Sequence, residues 1–322
     1  MSDADSAGGS EPDPRRVAVV TGTRAEYGLL SSSMRAVEAH EDLALDVVAT
    51  GMHLSPQYGH TVDDIRADGF EVAREVPTLL DGDSGAAMAK SLGLGVSGLT
   101  DALAGLDPDV VLVLGDRGEA FAAGVAAAHM NLPVAHVHGG DSMEGAIIDD
   151  SIRHALTKFA HLHFPVTDRS AERVRKLGEE PWRVETVGAP GLDAVLAGEY
   201  DDPGTVRAEL DLPDGPLALV VQHPLTASPE RAGEQMAATL DALDGLAVTP
   251  VVVYPNADAG GRRAIAEIER RDGLGAFRSL PRATYLGLMA AADAMVGNSS
   301  SGIIEAPSLD LPWLRVLPLA HG

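Results

Sequence analysis

The strongest constraint on this chain is a repeated alternation. Short, mainly apolar runs each end in a glycine or a polar cluster, and each is followed by a helical pattern. Val17–Thr21 ends in Gly22 and precedes a helix from Ala25 to about His40. Val110–Leu114 ends in Gly115-Asp116 and precedes an alanine-rich helix over Ala120–Met130. Pro133–His138 ends in the polar loop Gly139–Ile148 and precedes a helix over Asp149–Phe159. Further strands are expected at Leu45–Thr50, Phe70–Val76, Leu162–Val166 and Val184–Val187, and further helices at Gly85–Leu106 and Arg169–Leu177. Uninterrupted apolar runs belong to strands buried on both faces, so alternation at this spacing predicts parallel sheets covered by helices.

The Pro-, Gly- and Asp-rich stretch Gly198–Pro216 reads as a linker with a short helix inside it. A second series follows, with strands at Leu217–Gln222, Val248–Tyr254, Phe277–Leu280 and Ala294–Val296. Its helices are expected at Glu230–Leu243, Arg262–Arg271 and Tyr285–Ala292. The expected fold is therefore α/β: two Rossmann-like domains, residues 17–197 and 198–322, facing each other across a cleft. Residues 1–16 are expected to be a short disordered lead. A length of 322 residues fits two domains at roughly 150 residues each.

Composition removes several function classes. There is no cysteine, hence no disulfide framework, cysteine nucleophile or zinc ribbon. With 48 acidic and 24 basic side chains the net charge is −24. No basic stripe exists to replace phosphate counterions, which argues against nucleic acid and against anionic membranes as partners. Lysine is confined to Lys90, Lys158 and Lys176, and this scarcity amid carboxylates resembles proteins of salt-accumulating halophiles. An acidic mesophile protein from a GC-rich genome has a similar composition. No 18-residue apolar run and no signal-peptide core is present, so the protein is expected to be cytoplasmic.

In open parallel sheets ligands bind at the carboxyl ends of the strands, and the polar clusters fall there. Arg24, just after the first strand, can pair a diphosphate in bidentate fashion or be an ordinary surface arginine. Asp116 follows an entirely apolar strand, where desolvation raises a carboxyl toward general-base duty; capping of the next helix is the alternative. His136, His138 and Asp141 precede Asp149-Asp150-Ser151-Ile152-Arg153-His154. On a helix Asp149 is expected to meet Arg153, and Asp150 to meet Arg153 and His154. Paired acids beside cations suit proton abstraction next to a carbonyl-like or glycosidic centre. A metal site is the rival reading, disfavoured by the missing cysteines and the lack of a His-Glu-x-x-His pattern. His161 and His163 are expected to be structural. His223, in Gln222-His223-Pro224, sits at a strand end in the second half, for a diphosphate contact, a leaving-group role or a structural one. The small-residue loop Gly297–Gly302 can hold a phosphate or simply cap a helix, with Glu305 one turn further for ribose hydroxyls. Neither the ATP-type nor the NAD-type glycine loop is present.

At these residues the chain resembles the hydrolysing UDP-N-acetylglucosamine 2-epimerases, including the enzymes of sialic-acid and legionaminic-acid biosynthesis. The motifs run in family order: Val20–Gly28, Gly115-Asp116-Arg117, His136–Gly140, Asp149–His154, His223–Thr226, Pro255–Gly260 and Gly297–Pro307. The resemblance implies a glycosyltransferase-B-like fold and a UDP-N-acetylhexosamine-type substrate, with no cofactor and no metal. It implies loss of the C2 proton with expulsion of UDP to a 2-acetamidoglucal, then addition of water. It implies Asp116, Asp141 and Asp149 as acid/base groups, Arg153 ordering the carboxylates, and His223 assisting the departing diphosphate. Arg24, Gly28, Arg117, Asn256, Ser299, Ser300 and Glu305 would contact UDP. Self-association is also implied, since relatives commonly oligomerise.

Two departures stand out. Asp141 occupies a position where the family usually has glutamate, and Glu144 is nearby. After Leu311-Pro312 the family continues with a Gly-x-Arg-Gln-x-Gly-Arg loop that holds UDP. Trp313–Gly322 does not match it, so a truncation or frameshift is expected there. A catalytically impaired remnant and a non-hydrolysing 2-epimerase are the alternative readings.

Overall fold

The computed structural model describes residues 13–80, 82–142 and 147–316. Its first half runs β1 (Arg15–Thr21), α1 (Arg24–Glu38), β2 (Leu43–Thr50), α2 (Val62–Ala67), β3 (Val72–Val76), α3 (Gly85–Leu106), β4 (Val110–Leu114) and α4 (Gly118–His129). It continues with β5 (Val134–Val137), α5 (Ile147–Phe159), β6 (Leu162–Phe164) and α6 (Asp168–Lys176). Two short helices, α7 (Asp193–Ala197) and α8 (Pro203–Glu209), lead to the second half. There the order is β7 (Leu217–Val221), α9 (Ala232–Asp244), β8 (Thr249–Val253), α10 (Gly261–Glu269), β9 (Gly275–Phe277) and α11 (Arg282–Ala291). The described chain ends with β10 (Ala294–Gly297), α12 (Ser301–Ile304) and β11 (Trp313–Arg315).

The strands form two wholly parallel sheets, of order β3-β2-β1-β4-β5-β6 and β11-β10-β7-β8-β9. Each central strand is buried from end to end or nearly so, because helices cover both sheet faces. Alternate residues of β1 serve opposite cores. Ala18 and Val20 pack with Leu99, Leu103 and Leu156 on one face, and Val17 and Val19 with Leu30, Met34 and Ile65 on the other. Each buried side chain of this size contributes about 1.5–3 kcal/mol.

Both sheets reverse winding direction at a central pair, β1/β4 in the first and β7/β10 in the second. At such a switch point the connecting loops part and leave a crevice at the strands' carboxyl ends. The residues there are Gly22-Thr23 and Gly115-Asp116 in the first half, and Gln222-His223 and Asn298-Ser299 in the second. Among the described residues no helix is long and apolar enough to cross a membrane.

Several expectations need correction. Arg15 and Arg16 belong to β1 rather than to a lead, paired with Leu43 and Ala44 of β2; residues 1–12 lie outside the described residues. Val184–Val187 is not a strand. Only Val184 bridges His163, and the Glu185 and Val187 amides donate to the His163 and Pro165 carbonyls. The strand expected at Phe277–Leu280 lies at Gly275–Phe277 instead. The helix expected after Gly297–Gly302 is a four-residue α12, which passes into a 3-10 turn at Ala306–Leu309 around Pro307.

Candidate active site

The exit of β4 carries Asp116 and Arg117 into the crevice. Arg153, on the buried face of α5, donates through Nη2 to Asp116 Oδ2. Its Nη1 donates to Asp150 Oδ1 at 2.9 Å and to the Asp141 carbonyl at 3.0 Å. One buried guanidinium thus ties α5 to the loops after β4 and β5. The Asp150–Arg153 contact is as the helical spacing predicts; the expected i,i+4 pairing of Asp149 with Arg153 is replaced by one with Asp116, because Asp149 turns toward the crevice. Asp149 there has its pKa raised to about 6 by burial, with repulsion from Asp116 and Asp258 adding to it.

Behind β5, His138 adopts φ 63°, a left-handed conformation uncommon for a non-glycine residue. Its Nδ1 lies 3.0 Å from Asp141 Oδ2, while Ser170 Oγ donates to Asp141 Oδ1 at 2.6 Å. Burial acts to raise the Asp141 pKa, but the bonds from His138 and Ser170 outweigh it and hold it below the usual carboxylate range. His136 is wholly buried, and its Nε2 bonds the Gly115 carbonyl at 2.8 Å. Burial lowers its pKa to about 3, so it is neutral and serves the architecture of the loop after β4. His161 and His163 are structural: His161 Nδ1 accepts from the Val134 amide, and buried His163 faces Glu179 at 3.3 Å.

From the second half, Asn298 clips His223 on both sides, accepting its amide at 2.7 Å and donating to its carbonyl at 2.9 Å. That clip depends on Gly297, at φ 145°, where an added Cβ would lie 1.9 Å from the Val221 carbonyl. The Asn256 amide donates to His223 Nδ1 at 3.3 Å. A neutral His223 therefore carries its proton on Nε2, which makes that nitrogen a donor. Burial lowers the His223 pKa, partly opposed by nearby Asp258. Asp258 pairs with Arg117 across the crevice at 3.1 Å. Burial works against the Arg117 charge, but Asp258, Glu119 and Glu26 outweigh it and raise its pKa.

Of these groups Asp116, Arg117, Asp149 and Asp258 open on one cavity of about 480 Å³, which His223, Asp141 and Arg153 do not line. Asp116, Arg117, Glu119, Asp149, Thr226 and Asp258 line its polar side, and Leu80, Met88, Leu92, Leu99 and Ile152 are among its apolar wall. Among the described residues no three His, Asp or Glu side chains are arranged to hold a metal ion.

A second cluster gathers most of the remaining candidates. Arg24 pairs with Asp64 at 3.3 Å, and burial lowers its pKa to about 10. Buried Glu305 accepts from Arg282 Nη2 at 2.9 Å, and Arg282 also donates to the Gly191 carbonyl. Arg282 lies so close over Gly28 that a Cβ there would stand 2.9 Å from its Cδ. Ser299 is buried and its Oγ accepts from the Ser301 amide at 3.3 Å, while Ser300 is exposed.

The fold agrees with that of known proteins. Residues 35–317 match the family model described as UDP-N-acetylglucosamine 2-epimerase. The chain belongs to this family. A UDP-N,N'-diacetylbacillosamine 2-epimerase (hydrolyzing) of Legionella pneumophila is 37% identical over 307 residues, which cover 94% of this chain and 81% of the relative. A GDP/UDP-N,N'-diacetylbacillosamine 2-epimerase (hydrolyzing) of Campylobacter jejuni is 34% identical over 310 residues, covering 94% and 80%. Among solved structures, the UDP-GlcNAc 2-epimerase of Neisseria meningitidis bound to UDP-GlcNAc superposes with TM-score 0.77 at 18% identity, over 93% of this chain and 82% of that one. The Methanocaldococcus jannaschii UDP-GlcNAc 2-epimerase gives 0.76 at 17% identity, over 93% and 83%. At such identities the likeness is one of fold.

Within this 2-epimerase fold, sequence reasoning passed over Arg282. Its role emerges only from contacts to Gly28, Gly191 and Glu305, distant in sequence. Glu26 stands out in the sequence only as a member of the Val20–Gly28 motif. It is fully buried, accepts the Gly22 amide at 2.8 Å, and burial raises its pKa to about 8 with neighbouring Glu119 adding to the shift. Glu119 itself fills a slot between Gly22 and Gly51, where either added Cβ would collide with it.

Proposed function

We propose that this chain is a hydrolysing UDP-sugar 2-epimerase, acting on a UDP-2-acetamidohexose. The observation that carries the reading is one crevice holding both a raised-pKa carboxyl, Asp149, and a guanidinium-paired carboxylate, Asp116. The C2 proton of such a sugar is weakly acidic. A desolvated carboxylate is a stronger base than a solvated one, so Asp149 takes that proton. The C1–oxygen bond breaks, its electron pair leaves with UDP, and C1 and C2 become doubly bonded. Arg117 and the His223 Nε2–H stabilise the charge on the departing diphosphate. Asp116 and Asp141 complete the acid/base set under Arg153, and Arg24, Gly28, Asn256, Ser299, Ser300 and Glu305 form the UDP side. Water then adds, its hydroxyl to C1 and a proton to C2 on the opposite face. The products are UDP and the free 2-epimerised sugar.

The apolar wall of Leu80, Met88, Leu92, Leu99 and Ile152 favours a hexose bearing deoxy carbons and acetamido methyls over one rich in hydroxyls. A UDP-diacetamido-trideoxyhexose therefore ranks above UDP-N-acetylglucosamine. The net charge of −24 fits a chain that works in concentrated salt.

The test is incubation with each UDP-sugar in deuterated buffer, followed by proton and phosphorus NMR. UDP, together with a free sugar inverted and deuterated at C2, is expected. A C2-inverted sugar still joined to UDP would instead establish a non-hydrolysing 2-epimerase, and unchanged substrate would sink both.

A further inference from the structure

The loop Asn256–Gly260 of the second half is gripped almost entirely from the first half. The Ala257 amide faces Met52 Sδ at 3.5 Å, and the Ala259 amide faces Met88 Sδ at 3.4 Å. Asp258 pairs with Arg117. The Gly260 amide donates to Asp83 Oδ1 at 2.6 Å, and Asp83 Oδ2 lies 3.5 Å from Arg263 Nε at the start of α10. Of these holds only the Asp83 bond is a short, charge-assisted one to backbone; thioether sulfurs are weak acceptors. The loop has little freedom of its own. Gly260 stands at φ 94°, where an added Cβ would meet the Pro229 carbonyl at 2.8 Å. A Cβ on Gly261 would meet the Asn256 carbonyl at 2.6 Å. A pull at Gly260 is therefore transmitted along the loop to Asn256, whose amide sets the His223 ring, and to Asp258, which holds Arg117.

We propose that Asp83 is a positioning residue for the reaction: anchoring Gly260 and Arg263 across the crevice, it holds the loop that orients His223 and Arg117. Asp83 lies at the entrance to α3, close to the cavity but outside its acid/base group. It acts through the loop rather than by touching the reacting carbons. The inference rests on the 2-epimerase reading for its kinetic consequence, though the clasp itself can be measured without any reaction.

The experiment compares wild type, Asp83→Ala and Asp83→Asn. Asparagine keeps an oxygen acceptor for the Gly260 amide and loses only the charge toward Arg263; alanine loses both. In Asp83→Ala, kcat for UDP release is expected to fall about tenfold or more, with KM for the UDP-sugar changed by less than about threefold. Asp83→Asn should stay within about threefold of wild type. Hydrogen exchange of the peptide spanning residues 256–263, measured without substrate, should quicken at least about tenfold in Asp83→Ala and remain slow in Asp83→Asn. Unchanged exchange in Asp83→Ala overturns the clasp. Quickened exchange with unchanged kcat overturns the positioning role. An inactive wild type would count against the 2-epimerase reading alone, and the exchange comparison would still decide whether the clasp exists. If Asp83→Ala fails to fold, Asp83→Ser, whose shorter hydroxyl falls one bond short of the Gly260 amide, takes its place with the same expectations; unchanged exchange there overturns the clasp.

Discussion

The Arg153 guanidinium reaches the Asp116 carboxylate across 37 positions of sequence and at the same time holds Asp150 and the Asp141 carbonyl. Three groups of the acid/base region are thus fixed by one buried cation. Removing it leaves carboxylates in a partly desolvated place with nothing to offset them, which costs more than the pair itself is worth.

Arg153→Ala is therefore expected to lower kcat/KM about 100-fold or more and to cost about 3–5 kcal/mol of stability. Arg153→Lys restores a charge, but a single ammonium cannot copy a planar fork reaching three acceptors. It should recover most of the stability and little of the activity. Steady-state UDP release and thermal unfolding of both variants check this. Full activity in the lysine variant would show that the three-way bridge is dispensable.

Asp149 gives the reaction its pH dependence. A base must be ionised, and this carboxyl, raised to about 6 by burial with help from Asp116 and Asp258, is half protonated there. The kcat/KM profile is expected to fall with a slope of one proton below about pH 6 and to level above it. Asp149→Asn should lose about 1,000-fold in rate and stop C2 deuteration, while still binding UDP by titration calorimetry. A profile flat down to about pH 4.5 would remove Asp149 from the role of base.

The skeleton of this site was legible because a strand buried on both faces is an apolar run, and the residue that ends the run marks the sheet's carboxyl edge. Gly22, Asp116, His138, His223 and the Gly297–Gly302 loop follow from that alone. What escaped was whatever is fixed by contact across sequence. Arg282 sits in an ordinary-looking helix start, and its partners Gly28, Gly191 and Glu305 come from three other segments. Asp83 reads as loop chemistry until Gly260 is placed beside it. The pairing of Arg153 with Asp116 in place of Asp149 has the same origin, since helical spacing ranks neighbours within α5 but knows nothing of the loop after β4. Val184–Val187 looks like a strand by composition, yet it lies beyond β6 and shares only scattered bonds with its neighbourhood.

Glu26 predicts an opposite trend in stability. Its carboxyl holds a proton to about pH 8 in the folded state, against an ordinary value of 4.5. Folding therefore binds a proton between those values, so this group's contribution is full below about pH 4.5 and is lost as pH rises through about 8. Glu26→Gln keeps an acceptor for the Gly22 amide and has no proton to lose. Its melting temperature should match wild type near pH 5 and exceed it by several degrees near pH 9. A constant difference between the two proteins across that range would mean that Glu26 stays ionised in the fold.

Salt should stabilise this protein rather than weaken it. Surface ion pairs such as Lys176–Glu172 and Arg66–Asp63 lose attraction on screening, but each is worth only about 0.2–1 kcal/mol to begin with. Against them stands the mutual repulsion within a chain that has 48 acidic side chains against only 24 lysines and arginines. The Debye length falls from about 10 Å at 0.1 M to about 3 Å at 1 M, which is enough to uncouple neighbouring exposed carboxylates. The largely buried bridges of Arg153 and Arg282 are less affected, because screening acts weakly on pairs shielded from solvent. The melting temperature is therefore expected to rise between about 0.1 and 2 M KCl, steeply at first and then more slowly as screening saturates. A fall over the first molar step would mean that paired attraction outweighs net repulsion on this surface, and that the acidity has some other origin.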